Sequence, residues 1–280
     1  MVDKLIVTNR AALRTKYGAR GLVKVTAAVK ALIAADRKRG LVTRLIALDS
    51  AAMKRYGSAV TDASSARQNK RAIDSLYRAL RPHYLMILGS IDVIPHQDPK
   101  NPVYADDQED DPVAWGDLPY ACDAPYSRDI TKFIGPTRVI GRLPDMTGAS
   151  EPSHLLACLQ TAVTYKPRPL AQYPGYFALS VQLWKKSSAL SLANIFGNAR
   201  KLLLAPPTGS VAASRKLGPR SHFINCHGAL ADPRFYGEDK KGTPVALDSK
   251  DLPGRIREGT VAAVECCYGA ELYDSVALKL

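Results

Sequence analysis

The chain alternates short apolar runs with longer amphipathic stretches, and this restricts the folds open to it more than any other feature. Residues 4–8 (KLIVT), 43–48 (TRLIAL) and 84–89 (YLMILG) have the length and β-branched content of buried strands. Between the first two, a polar connection over residues 9–21 leads to Leu22, Val25, Val29, Leu32 and Ile33, which recur at helical spacing up to Gly40. Between the second and third, a loop or short helix over residues 49–65 precedes a helix marked by Ile73, Leu76, Tyr77 and Leu80 and stopped by Pro82. Strand, helix, strand, helix, strand at this spacing predicts an α/β domain with a parallel sheet and covering helices.

A second set follows a break. Residues 151–165 predict a helix with Leu155, Leu156, Leu159, Ala162 and Val163 on its apolar side, and the proline-rich stretch 166–174 (KPRPLAQYP) reads as a linker. Two subdomains are therefore expected, 1–168 and 169–280. In the second, residues 176–183 predict a strand, 188–204 a helix, 205–219 a connection and 221–228 (SHFINCHG) a strand with a polar end. Residues 229–247 read as a long loop, 249–258 as a helix capped by Asp248 or Ser249, and Val261–Val264 as a last, buried strand.

Two strand ends carry candidate chemistry. His227 and Gly228 close one apolar run, and Cys266, Cys267 and Gly269 follow another forty residues later. If the two strands are parallel neighbours, an imidazole and a thiol emerge on the same edge of the sheet, where open α/β sheets build their sites. A thiolate nucleophile needs a histidine to pair with it and to protonate the leaving amine. Packing of both thiols in the core is the competing explanation, since free cysteine is among the most buried residue types. His222 starts its strand rather than ending it, and His83, His96 and His154 have no comparable context. The glycine after YLMIL is not a phosphate loop, because ILGSIDVIP has neither the second glycine pattern nor the lysine that cradling a phosphate requires.

HFINCHG followed by VECCYGAELYD resembles the His-Gly and Ala-Cys-x-Gly elements of the caspase-like cysteine peptidases, the group of caspases, gingipains, clostripain and legumain. Glu265, Cys266, Cys267, Tyr268, Gly269, Ala270 and Glu271 match the order of the caspase element, with glutamate for glutamine and cysteine for alanine. That register makes Cys267 the nucleophile and Cys266 its inert neighbour, with an off-by-one assignment as the alternative. ILGSIDVIP, an aspartate-rich stretch (Asp106, Asp107, Glu109, Asp110, Asp111, Asp117) and Val139-Ile140-Gly141-Arg142-Leu143-Pro144 resemble, in that order, elements of gingipain-type catalytic domains. The resemblance implies a three-layer α/β/α fold with mostly parallel sheets in two subdomains. It implies a cysteine endopeptidase in which His227 is the acid/base and the N–H groups of Gly228 and Cys267 form an oxyanion hole. Thirteen residues follow Cys267, where caspase-like domains continue with strands of the substrate pocket. The remainder is then expected from elsewhere: a longer chain, a processed subunit or a regulatory partner.

No cofactor is required for this chemistry. A structural calcium held by Asp106, Asp107, Asp110 and Asp111 is one reading of the acidic stretch, attraction of a basic substrate a second, and a solvated loop a third. Five cysteines without regular spacing, and no Cys-x-x-Cys or His-x-x-x-His, argue against a disulfide framework or a structural zinc; Cys122, Cys158 and Cys226 read as buried or incidental. With no apolar run of membrane-spanning length and no signal-peptide segment, a cytoplasmic protein without a membrane partner is expected. The formal charge of +13 raises nucleic acid as a partner. However, the basic residues within 24–39 and 54–81 are spread over helix faces without interleaved aromatics, which disfavours it. Beside a peptidase acting on protein or peptide substrates stand two alternatives: a non-catalytic caspase-like scaffold and a basic nucleic-acid-binding α/β protein.

Overall fold

The computed structural model describes residues 1–104, 111–205, 213–269 and 272. The chain forms two compact units, Met1–Tyr165 and Lys166–Leu280. Each holds a four-stranded sheet in which every pairing is parallel. The fold is α/β, with four α-helices among the described residues, compatible with a three-layer α/β/α arrangement.

In the first unit, β1 (Lys4–Thr8), β2 (Thr43–Ala47), β3 (Tyr84–Leu88) and β4 (Val139–Leu143) lie in the order β2-β1-β3-β4. Leu5, Ile6 and Val7 of β1 are fully buried, as a strand covered on both faces requires. Helix α1 (Arg10–Lys38) places Val25, Val29 and Leu32 in the core and packs against α3 (Ser153–Thr164), which adds Leu155 and Leu159. Burying each such leucine contributes roughly 1.5–3 kcal/mol. Helix α2 (Ala66–Leu80) is capped at its start by the Ser65 side chain, which accepts from the Gln68 N–H at 3.2 Å.

The expected polar connection over residues 9–21 is instead the beginning of α1, interrupted at Gly18 (φ 67°). Leu13 and Tyr17 are buried one turn apart, and the first helical N–H groups, of Arg10 and Ala11, donate to the Asp49 carboxylate at 2.9 and 2.6 Å. The cap thus comes from a distant loop, where a local motif cannot announce it.

Arg142 of β4 ties the resembling elements of this unit together. Its guanidinium forms a two-pronged pair with Asp117 (2.7 and 2.7 Å), and its third nitrogen donates to the carbonyls of Gly89 and Ile94 at 2.9 Å each. Gly89 turns at φ 112°, with Val93 Cβ 2.8 Å from where a Cβ of its own would sit.

In the second unit, β5 (Tyr176–Val181), β6 (Leu202–Ala205), β7 (Ser221–Asn225) and β10 (Val261–Glu265) lie in the order β10-β7-β5-β6. Alternation along β5 builds two cores. Tyr176 and Ala178 join Phe223 and Leu192 of α4 (Lys185–Phe196), whereas Phe177 and Leu179 join Ile224, Cys226 and the hairpin β8 (Arg234–Tyr236)/β9 (Val245–Asp248). One face of the sheet is therefore covered by a helix and the other by a hairpin with its flanking loops.

Four expectations for this unit change. The predicted helix 188–204 ends at Gly197, which adopts the left-handed conformation (φ 76°) and releases Leu202–Ala205 to form β6. The expected loop 229–247 contains the hairpin. Of the helix expected over 249–258 only a 3-10 turn, Ser249–Asp251, forms, because Pro253 and Gly254 break what Asp248 caps. Finally, β10 is a strand but not a buried one: all five residues are exposed, Val261 to 64% and Val264 to 39%, because it is the outermost strand of the sheet. Among the described residues no helix is long and apolar enough to cross a membrane.

Candidate functional site

The C-terminal edge of the second sheet collects the candidate residues. β7 and β10 are parallel neighbours in the register Ser221↔Val261 to Asn225↔Glu265. His227 and Cys267 therefore lie at matched positions, each two residues beyond its strand. Between the strands the Cys226 N–H donates to the Glu265 carbonyl at 3.1 Å, carrying the pairing past the strand ends.

Gly228 is where the two strand ends touch. A Cβ there would overlap the Cys267 carbonyl oxygen and stand 2.5 Å from Cys266 Sγ, so only glycine admits the approach. Beyond Cys267 the chain reverses through Tyr268, a non-glycine residue at φ 56°, and the Gly269 N–H donates to the Cys266 carbonyl at 3.1 Å.

The adjacent cysteines have opposite surroundings. Cys266 is half-buried and packs on the core that contains Cys226, whereas Cys267 is exposed. Burial, reinforced by the neighbouring Cys267, pushes the Cys266 thiol up to about 12, and burial with Cys266 beside it pushes the Cys226 thiol up to about 12. Neither ionises near neutral pH, so the exposed sulfur of Cys267 is the one accessible to an electrophile.

His227 is held from three directions. Its backbone exchanges two hydrogen bonds of 2.9 Å with Tyr236 of β8, its Nε2 lies 2.5 Å from Glu238 Oε2, and its ring lies 4.5 Å from that of Trp184, centre to centre. Glu238 gets there through Gly237, whose missing side chain lets the hairpin close on Ala205 at the end of β6: a Cβ would be 2.5 Å from the Ala205 oxygen. Trp184 follows β5 at the start of α4. The ends of all four strands thus contribute to one locus. Neither Glu238 nor Trp184 stands out in the sequence; a carboxylate eleven positions from a histidine carries no spacing signal, and only the hairpin brings it back.

Gly228, Cys266 and Cys267 also face residues 232–235 across a crevice of about 20 Å³. That is room for a water molecule and not for a peptide, and His227 is not among the residues lining it. On its far wall Arg234 donates two hydrogen bonds to Asp232 (2.8 and 2.6 Å), and with Tyr236 holds that carboxyl well below its usual range.

The other histidines are placed differently. His222 is buried, with Nε2 reaching the carbonyls of Leu217 (3.1 Å) and Pro219 (2.9 Å), and burial lowers its proton affinity. His154 meets Cys158 at 3.5 Å along α3, while His83 is exposed and His96 half-buried. Of the residues considered for calcium, Asp106, Asp107 and Asp110 lie outside the described residues, as do Glu109, Ala270 and Glu271. The Asp111 carbonyl accepts from Asn101, and Asp117 is committed to Arg142. Among the described residues no group of three or more potential ligands comes together around a metal position.

The first unit has a wider opening of about 550 Å³ at the C-terminal ends of its strands, with Lys16, Asp62 and Asp92 among the residues that line it. Lys16 is already paired with Asp92 (2.8 Å) and Asp145 (3.3 Å), and the lining residues contribute no nucleophile of their own beyond hydroxyls. No family model matches the chain, and no curated protein matches it.

Proposed function

We propose that the protein is a cysteine endopeptidase of caspase-like, gingipain-type architecture, acting on protein or peptide substrates through Cys267 and His227. The single observation that carries this is the register of β7 and β10, which sets His227 and an exposed Cys267 at matched strand ends with Gly228 pressed against the Cys267 backbone. In the reaction, the Cys267 thiol gives its proton to His227 and the sulfur attacks the scissile carbonyl carbon. N–H groups of Gly228 and Cys267 would stabilise the resulting oxyanion. His227 returns the proton to the leaving amine as the C–N bond breaks, and water then hydrolyses the thioester. Glu238 on Nε2 orients the ring and leaves Nδ1 to exchange the proton.

One observation favours a second reading, a non-catalytic scaffold: the crevice beside Cys267 holds about 20 Å³. Labelling with an electrophilic peptide probe separates the two. A peptidase is labelled at Cys267, keeps its labelling in Cys266→Ala and loses it in both Cys267→Ala and His227→Ala. Labelling of Cys267 that is indifferent to His227, or a shift of the label to Cys266, would overturn the assignment.

A further inference from the structure

The edge of the second sheet opposite Cys267 has a character of its own. All four strands of this sheet run parallel, so their starting ends share one edge. The cations are grouped there rather than spread over helix faces: Arg200 and Lys201 precede β6, Lys216 and Arg220 precede β7, and Arg257 precedes β10. Arg168 joins them from the start of the unit, with its Cγ 3.2 Å from the Cβ position of Gly259. Hydrogen bonds make this edge one continuous surface. Arg220 Nε donates to the Glu258 carbonyl (3.1 Å), Tyr173 OH to the Gly259 carbonyl (2.9 Å) and Ser221 Oγ to the Tyr173 carbonyl (2.8 Å). The carboxylate of Glu258 is taken up by Arg168 at 2.8 Å. Arg200, Lys201, Lys216 and Arg257 are exposed and have no ion-pair partner among the described residues.

Arg200, Lys201 and Lys216 rim a crevice of about 400 Å³ floored by Tyr176, Phe177, Leu202, Leu203 and Pro219. Two features decide what it suits. Tyr176 and Phe177 are only 4% and 2% exposed, so no aromatic face is offered for a nucleobase to stack on. Leu202 and Leu203 belong to β6, the outermost strand on that side, and among the described residues no strand pairs with its outer edge. A free strand edge beside apolar side chains and three cations suits an extended polypeptide with alternating carboxylates and apolar residues.

We propose that this edge binds an acidic, extended segment of a partner protein, at a site distinct from the Cys267 locus and independent of its chemistry. The test is fluorescence anisotropy of the full chain with a labelled peptide alternating Asp or Glu with Val or Leu. The same peptide with Asn and Gln, and a single-stranded oligonucleotide of matched charge, serve as comparisons. The acidic peptide is expected to bind and to weaken as salt rises past a Debye length of about 10 Å. It should lose about tenfold or more in affinity in Lys201→Glu/Lys216→Glu, and be unaffected by Cys267→Ala. No binding of the acidic peptide, equal binding of its amide version, indifference to the charge reversal, or tighter binding of the oligonucleotide would each overturn the proposal.

Discussion

Glu238 Oε2 lies 2.5 Å from Nε2 of His227, a contact that a carboxylate makes by accepting the Nε2–H, which assigns the other ring nitrogen, Nδ1, as the proton acceptor of the neutral ring. The carboxylate therefore selects the tautomer as well as the position of the ring. Glu238→Ala is expected to lower kcat/KM on a cleavable peptide by about 10²-fold, the lower end of what a positioned acid/base contributes. A second readout is spectroscopic, because the Trp184 ring lies tilted against the His227 ring, 4.5 Å centre to centre, and its emission senses that ring. Emission at fixed pH should change in Glu238→Ala, where the ring is free to reorient, and change again in His227→Ala, where it is gone. Unaltered emission in Glu238→Ala would show that the pair does not govern the ring.

Gly228 is predicted to tolerate no side chain. In Gly228→Ala the new methyl would meet the Cys267 carbonyl and Cys266 Sγ, and the strand ends would have to part. Overpacking of this kind costs about 1–3 kcal/mol. Chemical denaturation followed by Trp184 emission should register that loss, and labelling of Cys267 should fall although the thiol is still present. Full labelling at unchanged stability would mean the two loops are free to separate.

Acidification should weaken the second unit through His222. Burial lowers the pKa of this histidine from 6.5, against the pull of the Pro219 and Leu217 carbonyls. A histidine with a depressed folded pKa binds more protons unfolded than folded, in the window from its folded value up to 6.5. Stability contributed there is present above pH 6.5 and is lost as the pH falls below it. Urea melts of the wild type on either side of that value should therefore differ, and His222→Asn should flatten the difference even if it lowers stability overall. A pH slope retained in His222→Asn would assign it to another group.

Much of this architecture is legible in the chain because its signals are local. β1, β2, β3, β5 and β7 are dense in β-branched and aliphatic residues, and their ends fall within three residues of the expected positions. That His227 and Cys267 share one edge of the sheet is legible once the strands are taken as parallel neighbours, whereas their matched register comes from the pairing itself. What stayed hidden depends on contacts between distant residues. The Asp49 carboxylate starts α1 from 38 and 39 positions away, and the closure of Gly237 on Ala205 delivers Glu238 to the imidazole. The exposure of β10 was equally unreadable, because VAAV has the composition of a strand covered on both faces and only the strand order makes it an edge. Leu202–Ala205 illustrates a plainer ambiguity, a short leucine run that suits helix or strand until Gly197 ends the helix before it.

The first unit should be most sensitive at Asp74. Its carboxylate takes Lys70 Nζ at 2.6 Å on both oxygens and Arg138 Nη2 at 2.6 Å, so one anion serves two cations that are 0% and 1% exposed. The Cys122 carbonyl accepts from both cations, and Arg138 stacks on Tyr77 at 4.5 Å, but neither contact supplies a negative charge. Burial holds the Lys70 pKa down even with Asp74 beside it, which shows that its charge is under pressure in the folded state. Asp74→Ala leaves Lys70 without its carboxylate and Arg138 with only the more distant, exposed Asp123 at 3.8 Å, and is expected to cost about 3–5 kcal/mol. Lys70→Met instead leaves a one-to-one pair between Arg138 and Asp74 in an apolar setting, and its cost should be markedly smaller. Urea melts of the two variants decide the matter: an equal loss in both would mean that Lys70 is needed for packing or for its bonds, and that Asp74 is not the group that makes a buried pair of cations tolerable.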